Sequence, residues 1–196
     1  MHEHMDNIVK GHIRVYEQTN PKNIIFEEDN VITTNTKYLF ARMMAASATE
    51  TAVWPGYGIW GLAVGAGGPD WPINTQPDAT SSQQSIVTPI LRKRLSSVNY
   101  VDPALNIIVN NGYSNIVDFQ TILNATTDNI GTPIREIGLI AGGTSATNMV
   151  TAPFFDSTNQ TTVNTINSVT LVNYKTLPPL KLPEGISFVW SWILTF

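Results

Sequence analysis

The chain has 196 residues, with 11 Lys or Arg against 15 Asp or Glu, a formal net charge of -4, no cysteine and only 13% charged residues. That length closes one hydrophobic core, and the acidic balance excludes a phosphate-neutralising nucleic-acid surface, which needs clustered Lys and Arg. Without cysteine there is no disulfide framework, thiolate metal site or cysteine nucleophile, so stability has to come from packing.

The charged share is about half that of an average protein, which leaves Asn, Thr, Ser and Gln to cover the surface. Such a composition suits a long-lived assembly better than a free enzyme. Charges and two histidines occupy residues 1–11, where a signal peptide would need an apolar run. No stretch approaches the roughly 18 apolar residues of a membrane helix. The expectation is a soluble chain made in the cytoplasm, without membrane partner, built as one domain (31–196) behind an N-terminal arm (1–30).

In chain order, residues 12–16 and 22–28 read as two short strands joined by the turn formers Thr19, Asn20 and Pro21, a hairpin arm. The acidic run Glu27, Glu28, Asp29 follows as a solvated turn. Leu39, Phe40, Met43 and Met44 recur at helical spacing behind N-cap candidates at 33–36, so one short helix is expected there. Residues 51–84 form a long loop rich in Gly, Pro and Asp, with 59–64 as a strand inside it. Four bulky aromatics, Trp54, Tyr57, Trp60 and Trp71, sit in this loop. Further strands are expected at 90–100, 106–110, 117–123, 134–141 and 163–174. Many short strands punctuated by turns are the signature of a sandwich or barrel.

The last pattern is the clearest, because Ile186, Phe188, Trp190, Trp192, Leu194 and Phe196 occupy every second position, with Ser187, Ser191 and Thr195 between them. A period of two is a strand with one buried face. Six such side chains contribute on the order of 10 kcal/mol on burial, comparable to the net stability of a domain.

Several segments together resemble a family of tailed-phage virion structural proteins, found in tails, baseplates and fibres. They are Trp60-Gly61-Leu62-Ala63-Val64-Gly65-Ala66-Gly67-Gly68, then Leu91-Arg92-Lys93-Arg94, then Arg135-Glu136-Ile137-Gly138-Leu139-Ile140-Ala141-Gly142-Gly143. The close is Leu171-Val172-Asn173-Tyr174-Lys175-Thr176 and Phe188-Val189-Trp190-Ser191-Trp192. Their order matches over roughly 35–196, although the acidic residue that often precedes the basic pair in this family is absent. The resemblance implies a component of the virion, assembled in the host cytoplasm, and leaves tail, baseplate, fibre attachment and capsid decoration open.

Catalytic readings find little to stand on. His2, His4 and His12 all lie in the first twelve residues, so a Ser-His-Asp arrangement would recruit a chain terminus as its base. His2, His4 and Asp6 could share a metal, but terminal histidines are more often incidental. Gly65 to Gly68 follow a strand as a phosphate loop would, yet no Lys-Ser/Thr follows; a glycine turn needing positive φ is the commoner meaning. Glu136 could pair with Arg92 or Arg94 across strands.

The fold expected is therefore a mainly β, jelly-roll-like β-sandwich with one short helix and a hairpin arm. The function expected is non-enzymatic assembly, without cofactor or metal: a symmetric homo-oligomer docking to other virion proteins. Trp54, Tyr57, Trp60 and Trp71 are the candidate interface, with Trp54 and Trp71 as anchors unless they fold back on their own core. The alternative is a module binding host-surface glycans, on which exposed Trp and Tyr would stack.

Overall fold

The computed structural model describes residues 9–34, 36, 59–109, 114–141 and 170–196. The helix expected at Leu39, Phe40, Met43 and Met44 lies outside them, as do Trp54 and Tyr57. Nine strands form among the described residues: β1 (Lys10–Glu17), β2 (Asn20–Ile32), β3 (Ile59–Gly65), β4 (Pro89–Arg94), β5 (Ser97–Tyr100), β6 (Ile116–Asn124), β7 (Ile134–Ala141), β8 (Thr170–Leu180) and β9 (Ser187–Thr195). The protein is mainly β, as its short alternating segments require. All pairings are antiparallel, in the spatial order β4-β3-β7-β8-β2-β1-β9-β6-β5.

The sheet curls. Leu62, Val64, Ile137 and Leu139 come from one end of that order and Ile13, Phe119, Leu123, Trp190 and Trp192 from the other, yet all belong to a single buried cluster. The two terminal strands of the order, β4 and β5, are separated in sequence only by Leu95 and Ser96. Leu95 N donates to Trp60 O at 3.0 Å and Ser96 N to Gln120 O at 2.7 Å, so adjacent amides reach opposite ends of the sheet. Residues 90–100, expected as one strand, break at this corner because each half bonds a different neighbour. β2 makes the other crossing. It pairs with β1 up to Asn30, and then Val31 and Ile32 pair with Tyr174 and Asn173 of β8.

The hairpin forms, but inside the sheet. β1 lies between β2 and β9, and Ile13 and Val15 are wholly buried. An arm standing apart is therefore corrected to a strand pair in the body of the sheet, because the odd-numbered apolar residues of β1 need the core. The acidic turn is also corrected. Glu27, Glu28 and Asp29 lie in β2, where each meets a cation or an imidazole: Arg14 Nε stands 3.0 Å from Glu27, Lys175 pairs with Glu28, and His12 Nδ1 lies 2.8 Å from Asp29.

β9 is buried on both faces. Phe188, Trp190, Trp192 and Leu194 enter the core as the period of two demands, whereas Ile186 and Phe196, just beyond the strand, are 37% and 39% exposed. The row of six core residues is thus a row of four. On the other face Val189, Ser191 and Ile193 are also buried, because β9 is central and longer side chains such as Arg14, Tyr16 and Gln120 flank it. Strand β8 runs past residue 174 to Leu180, with Pro178 and Pro179 exposed within it. Residues 106–110, expected as a strand, contribute only the bridge between Val101 and Ile107 among those described.

Candidate functional site

The part of the expected interface loop that follows β3, with the residues up to 88, connects β3 to β4, and one carboxylate holds both ends of this 66–88 connection. Glu136, on β7, is 0% exposed. Its Oε1 accepts from Gly67 N at 3.1 Å and Thr88 N at 2.9 Å, and its Oε2 from Val87 N at 2.9 Å and the Tyr174 hydroxyl at 2.8 Å. Residue 65 has to be glycine for this approach, since a Cβ there would sit 2.5 Å from Glu136 Oε1. Burial, and then the adjacent carboxylate, push the Tyr174 phenol well above the ordinary tyrosine range, so it stays a neutral donor. The described partners of Glu136 are backbone amides and a phenol, not Arg92 or Arg94. In the basic cluster it is Lys93 whose bonds are clear, with Nζ 2.6 and 2.8 Å from the two carboxylate oxygens of Asp128.

The loop then lies down on the outer face of β3, β7 and β8. Trp60 and Ala79 pack against a second buried cluster of Ala63, Ile86, Ile140, Leu171 and Tyr174, and Thr176 Oγ1 donates to Pro77 O at 2.7 Å. The ring of Trp71 rests on Gly67 and Gly68, with the Arg135 guanidinium 5.5 Å from its centroid on a cation–π contact. Arg135 also donates to the carbonyls of Trp71, Pro72 and Thr75. Of the four expected interface aromatics, the structure thus places Trp60 and Trp71, half-buried, against their own chain. The glycine-turn reading is met as well, for Gly67 has φ +79. An added Cβ at this residue would stand 2.4 Å from Trp71 Cε3. Gly67→Ala is accordingly expected to lower stability by about 1–3 kcal/mol in denaturant titrations, from left-handed strain plus displacement of the ring.

A second feature spans the outer face of the other half of the sheet. Register sets Glu27, Arg14, Ser191, Gln120 and Ser97 in one row across five strands, with Asp29, His12, Ile193, Asp118 and Asn99 in the next. The groups bond one another: Ser191 Oγ donates to Asp118 Oδ1 at 2.7 Å, Gln120 Nε2 to Asp118 Oδ2 at 2.5 Å, and His12 meets Glu27 as well as Asp29. No cluster of three or more His, Cys, Asp or Glu able to hold a metal occurs among the described residues. A cavity of about 690 Å³ opens at the end of these rows, lined by Lys10, His12, Asp29, Ser81 and Thr195 among others.

Burial raises the Asp118 carboxyl above its usual range, against the weaker opposing pull of Ser191, Gln120 and Arg14. A raised folded value means that the native state holds the proton more tightly, so this group's contribution is fully present below the unfolded value and lost as pH rises through the folded one. Asp118→Asn is expected to raise the urea midpoint at pH 7, with the gain vanishing below about pH 4. An equal shift at both pH values would mean that the charge is not the cause.

A third feature was not foreseen. Among the described residues, five of the ten exposed large hydrophobics fall within 98–109: Val98 (53%), Tyr100 (41%), Leu105 (37%), Ile107 (58%) and Val109 (68%). This stretch turns back on β5, since Ile108 N donates to Tyr100 O at 2.9 Å and Val101 bridges Ile107. The signal available in the sequence was a thirteen-residue run, 97–109, whose one charged residue is Asp102.

No family model, curated protein or solved structure matches this chain.

Proposed function

We propose that the chain is a non-enzymatic structural component of a tailed-phage virion, part of a tail, baseplate or fibre attachment, acting by symmetric self-assembly and docking to other virion proteins. The observation that carries this reading is the use made of the motif residues on which the resemblance rests. Glu136, the one buried charge among them, directs both oxygens at donors inside the fold and is left with no bond for a substrate. Gly67 and Gly68 bed a tryptophan ring, and Trp190 and Trp192 fill the core. These motifs build a scaffold, which is what an assembly protein needs from them.

The finer fold reading is a jelly-roll-like sandwich with β2-β1-β9-β6-β5 as one layer and β4-β3-β7-β8 as the other. Its support is the shared core and the two strand crossings at β2 and at Leu95 and Ser96, the way sandwich corners are made. The glycan-binding alternative draws less from the geometry. A sugar needs an open aromatic face, and the Trp71 ring has Gly67 and Gly68 against it and Arg135 over it.

The test is to raise antibodies to the purified chain, label intact particles, and measure glycan-array binding alongside. Label on particles at a symmetric position, with no glycan bound, is the expected result. Glycan binding without particle label would overturn the structural reading.

A further inference from the structure

We propose that the tip of the β3–β4 loop, Pro72-Ile73-Asn74, of one copy of this chain inserts into the cavity of about 690 Å³ beside β1, β2 and β9 of another copy. The inference rests on the self-assembly reading above and names the contact through which it runs.

The projecting half is the most exposed large apolar side chain among the described residues. Ile73 is 83% exposed, and Pro72 and Asn74 beside it are exposed as well. Its backbone is nevertheless fixed from below. Arg135 donates to the carbonyls of Trp71, Pro72 and Thr75, which lie on both sides of Ile73 in the chain. The Trp71 ring rests on Gly67 and Gly68, and Pro72 sets its own φ. A turn already ordered before it binds loses little conformational entropy in binding, which favours a small contact.

The receiving half has the size and the lining for this tip. Val9, Val31 and Ile193 give the cavity apolar wall, and the exposed residues Lys10 and Ser81 also line it. Its volume falls in the range of ligand sites, so it holds the isoleucine together with its two neighbours. The wall at Ser81 is fixed too, because its carbonyl accepts from Thr34 N at 2.8 Å and from Thr34 Oγ1 at 3.1 Å.

Charge argues for a second copy as the occupant. Asp70 and Asp78 are the only charged residues in 66–88; both are exposed, and neither is bonded among the described residues. One guanidinium, that of Arg135, stands against these two carboxylates, so the turn is acidic on balance. At the cavity Asp29 is engaged with His12 at 2.8 Å, whereas Lys10 makes no ion pair among the described residues. An apolar tip flanked by unpaired carboxylates thus meets an apolar wall beside an unpaired ammonium. Both halves of the fit lie on one chain, and the exposure of Ile73 shows that it does not fill its own cavity. Each copy therefore offers one tip and one cavity, a pairing that repeats from copy to copy as symmetric assembly requires.

The experiment is sedimentation of the full chain across roughly 1–500 µM, the range in which so small a contact dissociates. It is run on the wild type, on Ile73→Asp, on Ser81→Trp, and on an equimolar mixture of these two variants, each checked by thermal melting. The wild type is expected to associate, and each variant alone to associate about tenfold or more weakly, with its melt at low concentration unchanged. The mixture is expected to recover a one-to-one complex, because the tip of the Ser81→Trp chain still fits the cavity of the Ile73→Asp chain. No merely structural role for either residue produces that recovery. Ile73→Ser and Lys10→Glu repeat the test if either melt falls. If the variants associate as the wild type does, or the mixture behaves as the separate variants do, the contact lies elsewhere and the self-assembly reading stands without it. A wild type that stays monomeric throughout overturns self-assembly itself, and this contact with it.

Discussion

Removal of residues 186–196 is expected to abolish folding. β9 is hydrogen-bonded along its whole length to β1 on one side and β6 on the other, so its loss strips each of these strands of its partner on one edge and splits the sheet between them. With it go Phe188, Trp190, Trp192 and Leu194, all buried in the main cluster. Four large side chains at about 1.5–3 kcal/mol each match the net stability of a typical domain. The indole of Trp192 also reaches the Asn30 amide oxygen when that amide is oriented to donate to Gly11 O, which ties β9 to the point where β2 changes partners. A milder form is Trp190→Ala, expected to cost about 3–5 kcal/mol, since the ring is 1% exposed. Circular dichroism and urea titration of both forms are the measurements. A soluble truncated chain with a native-like spectrum would show that β1 and β6 can close the gap without it.

The second large effect is expected at Glu136. Glu136→Ala strands the Gly67 amide and the Tyr174 hydroxyl at buried positions, at about 1–3 kcal/mol for each group left unsatisfied, and frees the part-buried amides of Val87 and Thr88, so a few kcal/mol should be lost in all. Glu136→Gln keeps an acceptor for part of the set and should lose less. Because the carboxylate holds residues 66–88 at both ends, the loss should first appear as protease cleavage within this loop. Cleavage at wild-type rates in Glu136→Ala would mean that Trp71, Arg135 and the second buried cluster hold the loop by themselves. Tyr174 adds an alkaline test. Its raised folded value means that the stability it contributes is present below the unfolded value of about 10 and is lost as pH rises above it. Tyr174→Phe should flatten that alkaline decline.

Some of the architecture could be read from side-chain order alone. Alternation marked β6 and β9, turn formers marked the β1–β2 hairpin, and the glycine turn after β3 was recognisable because only glycine serves there without strain. These features are local, set by the period of the backbone and by the conformational range of single residues. The same reading erred where a neighbour strand decided the outcome. Residues 90–100 look continuous, yet the chain bends at Leu95 and Ser96 because β3 claims one half and β6 the other. The acidic run looked like a solvated turn until Arg14, His12 and Lys175 were placed beside it.

The candidate site was less legible still. Glu136 stood out as a motif residue, but its partners lie 38 to 69 positions away, and nothing local says that an acid on one strand will receive amides from both ends of a distant loop. The aromatic residues of that loop could be counted in the sequence, but whether Trp71 faces outward or rests on Gly67 and Gly68 depends on where Arg135 comes to lie. The ribbon at 97–109 shows the division most clearly. Its apolar, nearly uncharged composition was fixed by the amino-acid order, and an alternating apolar strand ordinarily means a covered one. Only the tertiary structure decided that Val98 and Tyr100 stay about half exposed beside the buried Phe119, because burial is a property of two surfaces and the sequence of one strand specifies only its own.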